Sequence, residues 1–347
     1  MEYMENTENN EPDEASKLRA YNIVCAKLGL SMCVYFLCRH LTGSVTTMLS
    51  EWSGSMSQTM FYFVHSMLII LMVYIIPVLF TAIIFNSFKG YKGKYRALYK
   101  RPRRLARAFG TFPAMFGLGH GTALLTLLAS YLLSRYLGGQ TLIEDMLRPT
   151  AFEPTSSIAY VLMMIFMMVV IAPIIEELWT RGIMYDALKP YGTGMAILIS
   201  SILFGLMHGS LYMLFYTTAY GLALGYIRYA TDSLFTVTIL HAIVNSISAV
   251  TLLLLTLVQI TNEENRVINT VNMIYMVAVL IMIIVGIVVF LSKIPKLRKY
   301  KIENSWTGIG PWKKTALFFL SVPVIFMMVL AFNEITQNWL LNLLVAP

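Results

Sequence analysis

Residues 158–191 read IAYVLMMIFMMVVIAPIIEELWTRGIMYDALKPY. From Ile158 to Ile175 the run carries no charged residue, and it is long enough to lie in the hydrocarbon of a bilayer. Glu176, Glu177 and Arg181 follow at once. On insertion scales a charge at the centre of a membrane helix costs roughly 2.5–3.5 kcal/mol. Charges set against such a run are candidate functional residues before any motif is considered. Of the 18 acidic residues in the chain, Glu176 and Glu177 are the two expected inside an apolar span.

The rest of the composition agrees with that start. The chain is 57% hydrophobic and 13% charged, against about 25% charged in a soluble domain, and its mean hydropathy is +0.67. This excludes the two or three soluble domains that 347 residues would otherwise suggest. The expectation is an all-α polytopic membrane helical bundle. The net charge of +8 does not imply nucleic acid, because the cations gather in two loops between apolar stretches. Residues 89–107 hold nine cations and no anion, and residues 293–314 hold a second cluster. Loops on the cytoplasmic side are expected to be basic, and both would lie on anionic headgroups. Cys25, Cys33 and Cys38 fall together in the first apolar stretch and read as small core hydrophobes. The acidic, polar N-terminus does not resemble a cleavable signal peptide.

Residues 1–16 form an acidic tail expected to be disordered. Residues 17–149 hold the N-terminal membrane helices and the first basic loop, residues 150–255 a core with the polar groups described below, and residues 256–347 the C-terminal membrane helices. Apolar stretches predict about nine transmembrane helices, over 21–40, 59–86, 112–136, 156–188, 193–209, 212–229, 233–258, 270–292 and 315–333. The fourth reads as one long helix kinked at Pro173, with stop signals at Lys189-Pro190-Tyr191-Gly192. Thr231-Asp232-Ser233 marks another break and offers a cap for the next helix. With both basic loops on one side, the N-terminus is cytoplasmic and the C-terminus outside; Arg39 and His40 at the outer end of the first span dissent. His65 and His120 read as helix–helix hydrogen-bond partners.

Three polar groupings lie in otherwise apolar helices: Glu176 and Glu177 with Arg181, Phe204 with His208, and His241 with Asn245. At a rise of about 1.5 Å per residue, Glu176 lies roughly 17 Å from the cytoplasmic end of its helix, His208 roughly 24 Å, and His241 and Asn245 roughly 12 to 18 Å. The helices alternate in direction, so a common layer suggests a shared site. Glu177 and Arg181, at i and i+4 with the acid first, are set for a helical ion pair. Glu176 is turned roughly 100° away and can face another helix, where a carboxylate removed from water becomes a better base. His241 and Asn245 share one helix face and suit an oxyanion clamp. Gly205 and Gly209 would let another helix approach near His208.

Glu176-Glu177-x-x-x-Arg181, Phe204-x-x-x-His208 and His241-x-x-x-Asn245 together resemble the CPBP family, which includes CAAX prenyl endopeptidases and bacterial bacteriocin-processing or Abi proteins. The resemblance covers roughly residues 150–255. It implies an intramembrane peptidase fold with a cavity open to the cytoplasmic side. Glu176 and His208 would hold and activate a water, His241 and Asn245 would stabilise the oxyanion, and Glu177, Arg181 and Phe204 would support them.

A metal-free, glutamate-activated water is the favoured reading. Glu176, His208 and His241 form the alternative, a zinc site with an open water position. Other classes remain in view: a non-catalytic membrane scaffold or bacteriocin-immunity protein, or a proton-coupled transporter, although no internal repeat supports the latter. The expected substrate is a peptide or membrane protein, the expected location a bacterial plasma membrane with the chain multi-pass, and no nucleic acid is expected as a partner.

Overall fold

The computed structural model describes residues 13–52, 57–86, 109–137, 157–261, 265–297 and 308–336. Among the described residues all regular structure is helical. In chain order the helices are α1 (Glu14–Trp52), α2 (Thr59–Ile84), α3 (Phe112–Leu137), α4 (Ile158–Tyr191), α5 (Thr193–Leu206), α6 (Leu211–Thr231), α7 (Leu234–Ile260), α8 (Arg266–Leu297), α9 (Pro311–Phe319) and α10 (Val322–Ile335). Counting the bent pair α9–α10 once, each expected span has its helix among the described residues. Six helices, α1 to α4, α7 and α8, are long and apolar enough to cross a membrane, and the pair α9–α10, bent by 68°, would make a seventh. The other two pack together as a hairpin. With 14 residues, α5 is about 21 Å long and falls short of a roughly 30 Å hydrocarbon layer. α6 is rich in Tyr and Thr.

Two apolar clusters hold the bundle together. One knits α1 to the second half of α4, to α5 and to α9–α10, through Tyr21, Met32, Trp179, Met184, Leu203 and Met327. The other joins α3, α6 and α7 through Phe116, Tyr220, Leu224, Val237 and Leu240. Large apolar side chains also face outward, such as Phe63 and Ile83 on α2 and Val267, Met273 and Val288 on α8. In a chain of this composition that surface suits lipid. All three cysteines are buried in α1.

Local chemistry sets the helix ends. Ser157, Ser210 and Ser233 cap α4, α6 and α7, each side chain accepting an N–H three residues on. At the other end of α4, a 3-10 turn over Lys189–Tyr191 leads into Gly192 at φ 143°, backbone that suits glycine. The stop signals at 189–192 are borne out. Asp232 sits at φ 48° between α6 and α7, where the polar break was expected.

Pro173 does not break α4. The helix widens to π-helix over Met167–Ile171 ahead of the proline and again over Leu178–Met184. The Ala172 N–H reaches back five residues to the Met167 carbonyl. In that register the next bond would run from residue 173 to Met168, and proline has no N–H to make it.

Three expectations at the margins change, and one holds. Helix α1 begins at Glu14, inside the tail expected to be disordered; residues 1–12 of that tail lie outside the described residues, as does the whole basic loop 89–107. Lys314, counted among the cations of the second basic loop, is buried in α9 and donates to the Tyr191 carbonyl at 2.7 Å, tying α9 to the end of α4. His120 does bridge helices, its Nδ1 lying 2.9 Å from the Tyr220 hydroxyl. His65 instead stacks on Phe61 of its own helix and lines the cavity described next.

Candidate active site

A cavity of about 700 Å³ opens among α1, α2, α4, α5, α6 and α7. Glu176, Phe204, His208, His241 and Asn245 all line it, while Glu177 and Arg181 do not. The three groupings separated in sequence therefore meet at one place.

The supporting layer is built on the second π stretch of α4. Glu177 and Arg181 have no exposed side-chain surface, and their charges pair at 2.9 Å. The same carboxylate oxygen, Oε1, lies 2.9 Å from His241 Nδ1. A carboxylate only accepts, so the His241 proton sits on Nδ1 and fixes the ring. The Arg181 guanidinium also donates to Thr180 Oγ1 at 2.7 Å and covers the Phe204 ring at 4.4 Å. A buried charge pair needs such contacts, because desolvation otherwise outweighs the attraction.

Phe204 separates the two imidazoles. Its ring meets His208 edge-on at 4.9 Å and His241 edge-on at 5.7 Å. His208 was expected on the helix, but α5 ends at Leu206 and His208 lies in the turn that follows. The four-residue spacing still matters, since His208 Nδ1 lies 2.9 Å from the Phe204 carbonyl. A carbonyl only accepts, so this nitrogen too carries the proton. Gly205 provides the close approach foreseen for it. A side chain there would meet the Leu214 carbonyl of α6 at 2.8 Å.

Glu176 faces the cavity. Its Oε2 lies 3.8 Å from His241 Nε2, and its Oε1 accepts from the Tyr74 hydroxyl at 3.3 Å. Tyr74, in a π-helical stretch of α2 (Ile70–Ile75), was not foreseen; one tyrosine among the 20 in the chain carries no signal of its own. Asn245 donates from Nδ2 to the Met168 carbonyl at 2.8 Å, the acceptor that Pro173 leaves without its main-chain partner. The second Nδ2 hydrogen remains for the cavity.

A further acidic residue lies within an apolar helix. Glu334 of α10, one residue past the expected end of the last span, lines the cavity and pairs with Arg39 of α1 at 2.8 Å. Arg39, expected at the outer end of the first span, lies inside α1, and this partner offsets its charge. Glu176, His208 and His241 share the cavity wall, but among the described residues no group of three His, Cys, Asp or Glu side chains is placed to hold a metal ion.

A carboxylate, two imidazoles with fixed protons and a half-free amide around one cavity can activate and hold a water molecule, which is what a hydrolytic site inside a helical bundle needs. The comparison with protein families gives this class a narrower form. Residues 158–247 match the family described as type II CAAX prenyl endopeptidase Rce1-like. The match covers about a quarter of the 347 residues and includes all seven residues picked out in the sequence. It bears out the resemblance to the CPBP endopeptidases and supports a CAAX-type intramembrane protease. Neither the curated proteins nor the solved structures yield a match.

Proposed function

We propose that this protein is an intramembrane endopeptidase in which Glu176 activates the attacking water. The observation that carries the reading is the placement of Glu176 Oε2 against His241 Nε2 at 3.8 Å, with the other nitrogen of that ring anchored on Glu177. Glu177 and Arg181 offset each other, so Glu176 and His241 can hold one proton between them with no net charge in the cluster. When His241 holds it, the carboxylate is free as a base and Nε2–H can donate to an oxyanion. Anchored as it is through Nδ1, a neutral His241 would present only a lone pair at Nε2.

The reaction then balances. Water bound between Glu176 and the His208 Nε2 lone pair loses a proton to Glu176 as its oxygen attacks the peptide carbonyl carbon. His241 Nε2–H and the second Asn245 N–H hold the carbonyl oxygen as it becomes an anion. Collapse of the intermediate breaks the C–N bond, and the proton on Glu176 passes to the departing amine. Tyr74 orients the carboxylate, and Phe204 keeps the two imidazoles apart.

The substrate class that suits a buried site is a peptide or membrane-associated protein, processed in a plasma membrane, with a bacterial source favoured. The two basic loops support a cytoplasmic N-terminus. The deciding experiment incubates candidate peptides with purified wild-type protein, Glu176→Ala and His241→Ala, with and without a chelator, and reads products by mass spectrometry. Cleavage by wild type alone, unaffected by chelator, is expected. Stably inserted variants that cleave as well as wild type would sink the enzyme reading in favour of a scaffold. Loss of activity with chelator would revive the zinc alternative.

A further inference from the structure

The end of α5 leaves its last carbonyls to be satisfied from outside the helix, and each has an identified partner. The Leu203 carbonyl takes the Met207 N–H, Gly205 takes the His208 N–H, and Leu206 takes the Gly209 N–H. The Phe204 carbonyl takes the His208 ring. The next carbonyl, that of Met207 in the turn, receives two donors from α1: the Tyr35 hydroxyl and Arg39 Nη1, each at 2.6 Å. Arg39 Nη1 also reaches the Tyr35 oxygen at 3.2 Å, and Arg39 Nε is held by Glu334 at 2.8 Å.

Gly209 completes the arrangement. It adopts φ 70°, and a side chain there would come within 2.5 Å of Arg39 Nη2. The turn that presents His208 is therefore shaped against a guanidinium from α1 and a carboxylate from α10. Both helices lie outside residues 158–247.

We infer that Arg39, Tyr35 and Glu334 are positioning residues that fix the His208 imidazole by clamping the Met207 carbonyl beside it. This rests on the protease reading for its kinetic consequence but not for its structural one. Without the clamp, the Met207 carbonyl loses its donors, the turn loosens, and the bond from His208 Nδ1 to Phe204 weakens. The ring then samples both tautomers, and Nε2 no longer presents a lone pair to the cavity at all times.

The test uses full-length protein in detergent with ¹⁵N-labelled histidine, the His208 signals being assigned through His208→Gln among the five histidines of the chain. In wild type, His208 should show one tautomer with Nδ1 protonated. In Arg39→Gln its two nitrogen signals should move toward each other, and Arg39→Lys should restore part of the difference. On a cleaved peptide, Arg39→Gln should lower kcat on the order of tenfold or more, with KM within about twofold of wild type.

Unchanged His208 signals in Arg39→Gln overturn the inference even if melting temperature falls, since the role is then only structural. A rise in KM with kcat intact overturns it as well, making Arg39 a substrate contact. If Arg39→Gln fails to insert, Tyr35→Phe, which removes one of the two donors, carries the same readouts. Wild type that cleaves no better than Glu176→Ala defeats the protease reading, and the nitrogen signals still decide the clamp.

Discussion

Helices α2 and α4 share one local device and put it to different ends. Each has a π-helical stretch just before a proline: Ile70–Ile75 ahead of Pro77, and Met167–Ile171 ahead of Pro173. In each, the N–H one residue before the proline reaches back five residues, from Ile76 to Leu71 and from Ala172 to Met167. In α2 the widened turn aims Tyr74 at Glu176 and the helix then continues through apolar sequence. In α4 the proline exposes the Met168 carbonyl to Asn245, and a second π stretch, Leu178–Met184, follows with Arg181 buried within it. π turns occur often at functional sites. Here the turn only widens the register, and the charges downstream of it separate a site helix from a supporting one.

The strongest break in this comparison is chemical. Glu176→Gln keeps the shape of α4 and removes the base, so peptide cleavage should fall on the order of 10²–10⁴-fold while melting stays close to wild type. Next comes the buried pair. Arg181→Ala leaves Glu177 uncompensated and should destabilise by about 3–5 kcal/mol, read by chemical or thermal unfolding in detergent; nothing in α2 responds in this way, because its π stretch buries no charge.

A smaller effect sharpens the point about proline. Asn245→Leu leaves the Met168 carbonyl without its donor and should cost about 1–3 kcal/mol. Pro173→Ala in that background supplies a main-chain N–H and should recover part of the loss, so the double variant should unfold less easily than Asn245→Leu alone. Full additivity of the two changes would show that Asn245 does not cap the proline's orphan. The smallest effect belongs to α2. Tyr74→Phe deletes one hydrogen bond to Glu176 and should change kcat/KM by about 0.5–1.5 kcal/mol, measured on the same peptide.

The helices were legible because apolar length announces them. The end of α4 at Gly192 follows from a stop signal and the start of α7 from Ser233, while the start of α4 was expected near Ser156, one residue ahead of its Ser157 cap. The acid–arginine pair was legible as well, since its partners lie one turn apart on one helix. Lys314 was not, because a lysine next to a basic loop looks like a loop cation until its partner, the Tyr191 carbonyl, is seen. Tyr74 and Glu334 were hidden for the same reason: each owes its place to a side chain far away in sequence, and hydropathy sees only neighbours. The short reach of α5, which leaves His208 in a turn, depends on the Gly209 backbone and on the α1 groups packed against it.

Arg39 and Glu334 stand 295 residues apart in the chain. At about 5–20 residues per second, a ribosome takes roughly 15–60 s to travel that distance. Throughout that interval the Arg39 guanidinium sits in an apolar helix without its carboxylate, and the turn at His208 has its α1 donors but not the residue that holds one of them. The cavity is therefore finished late in synthesis, when α10 arrives. A nascent chain that already carries Glu176, His208 and His241 would still lack the carboxylate that holds Arg39 against the His208 turn.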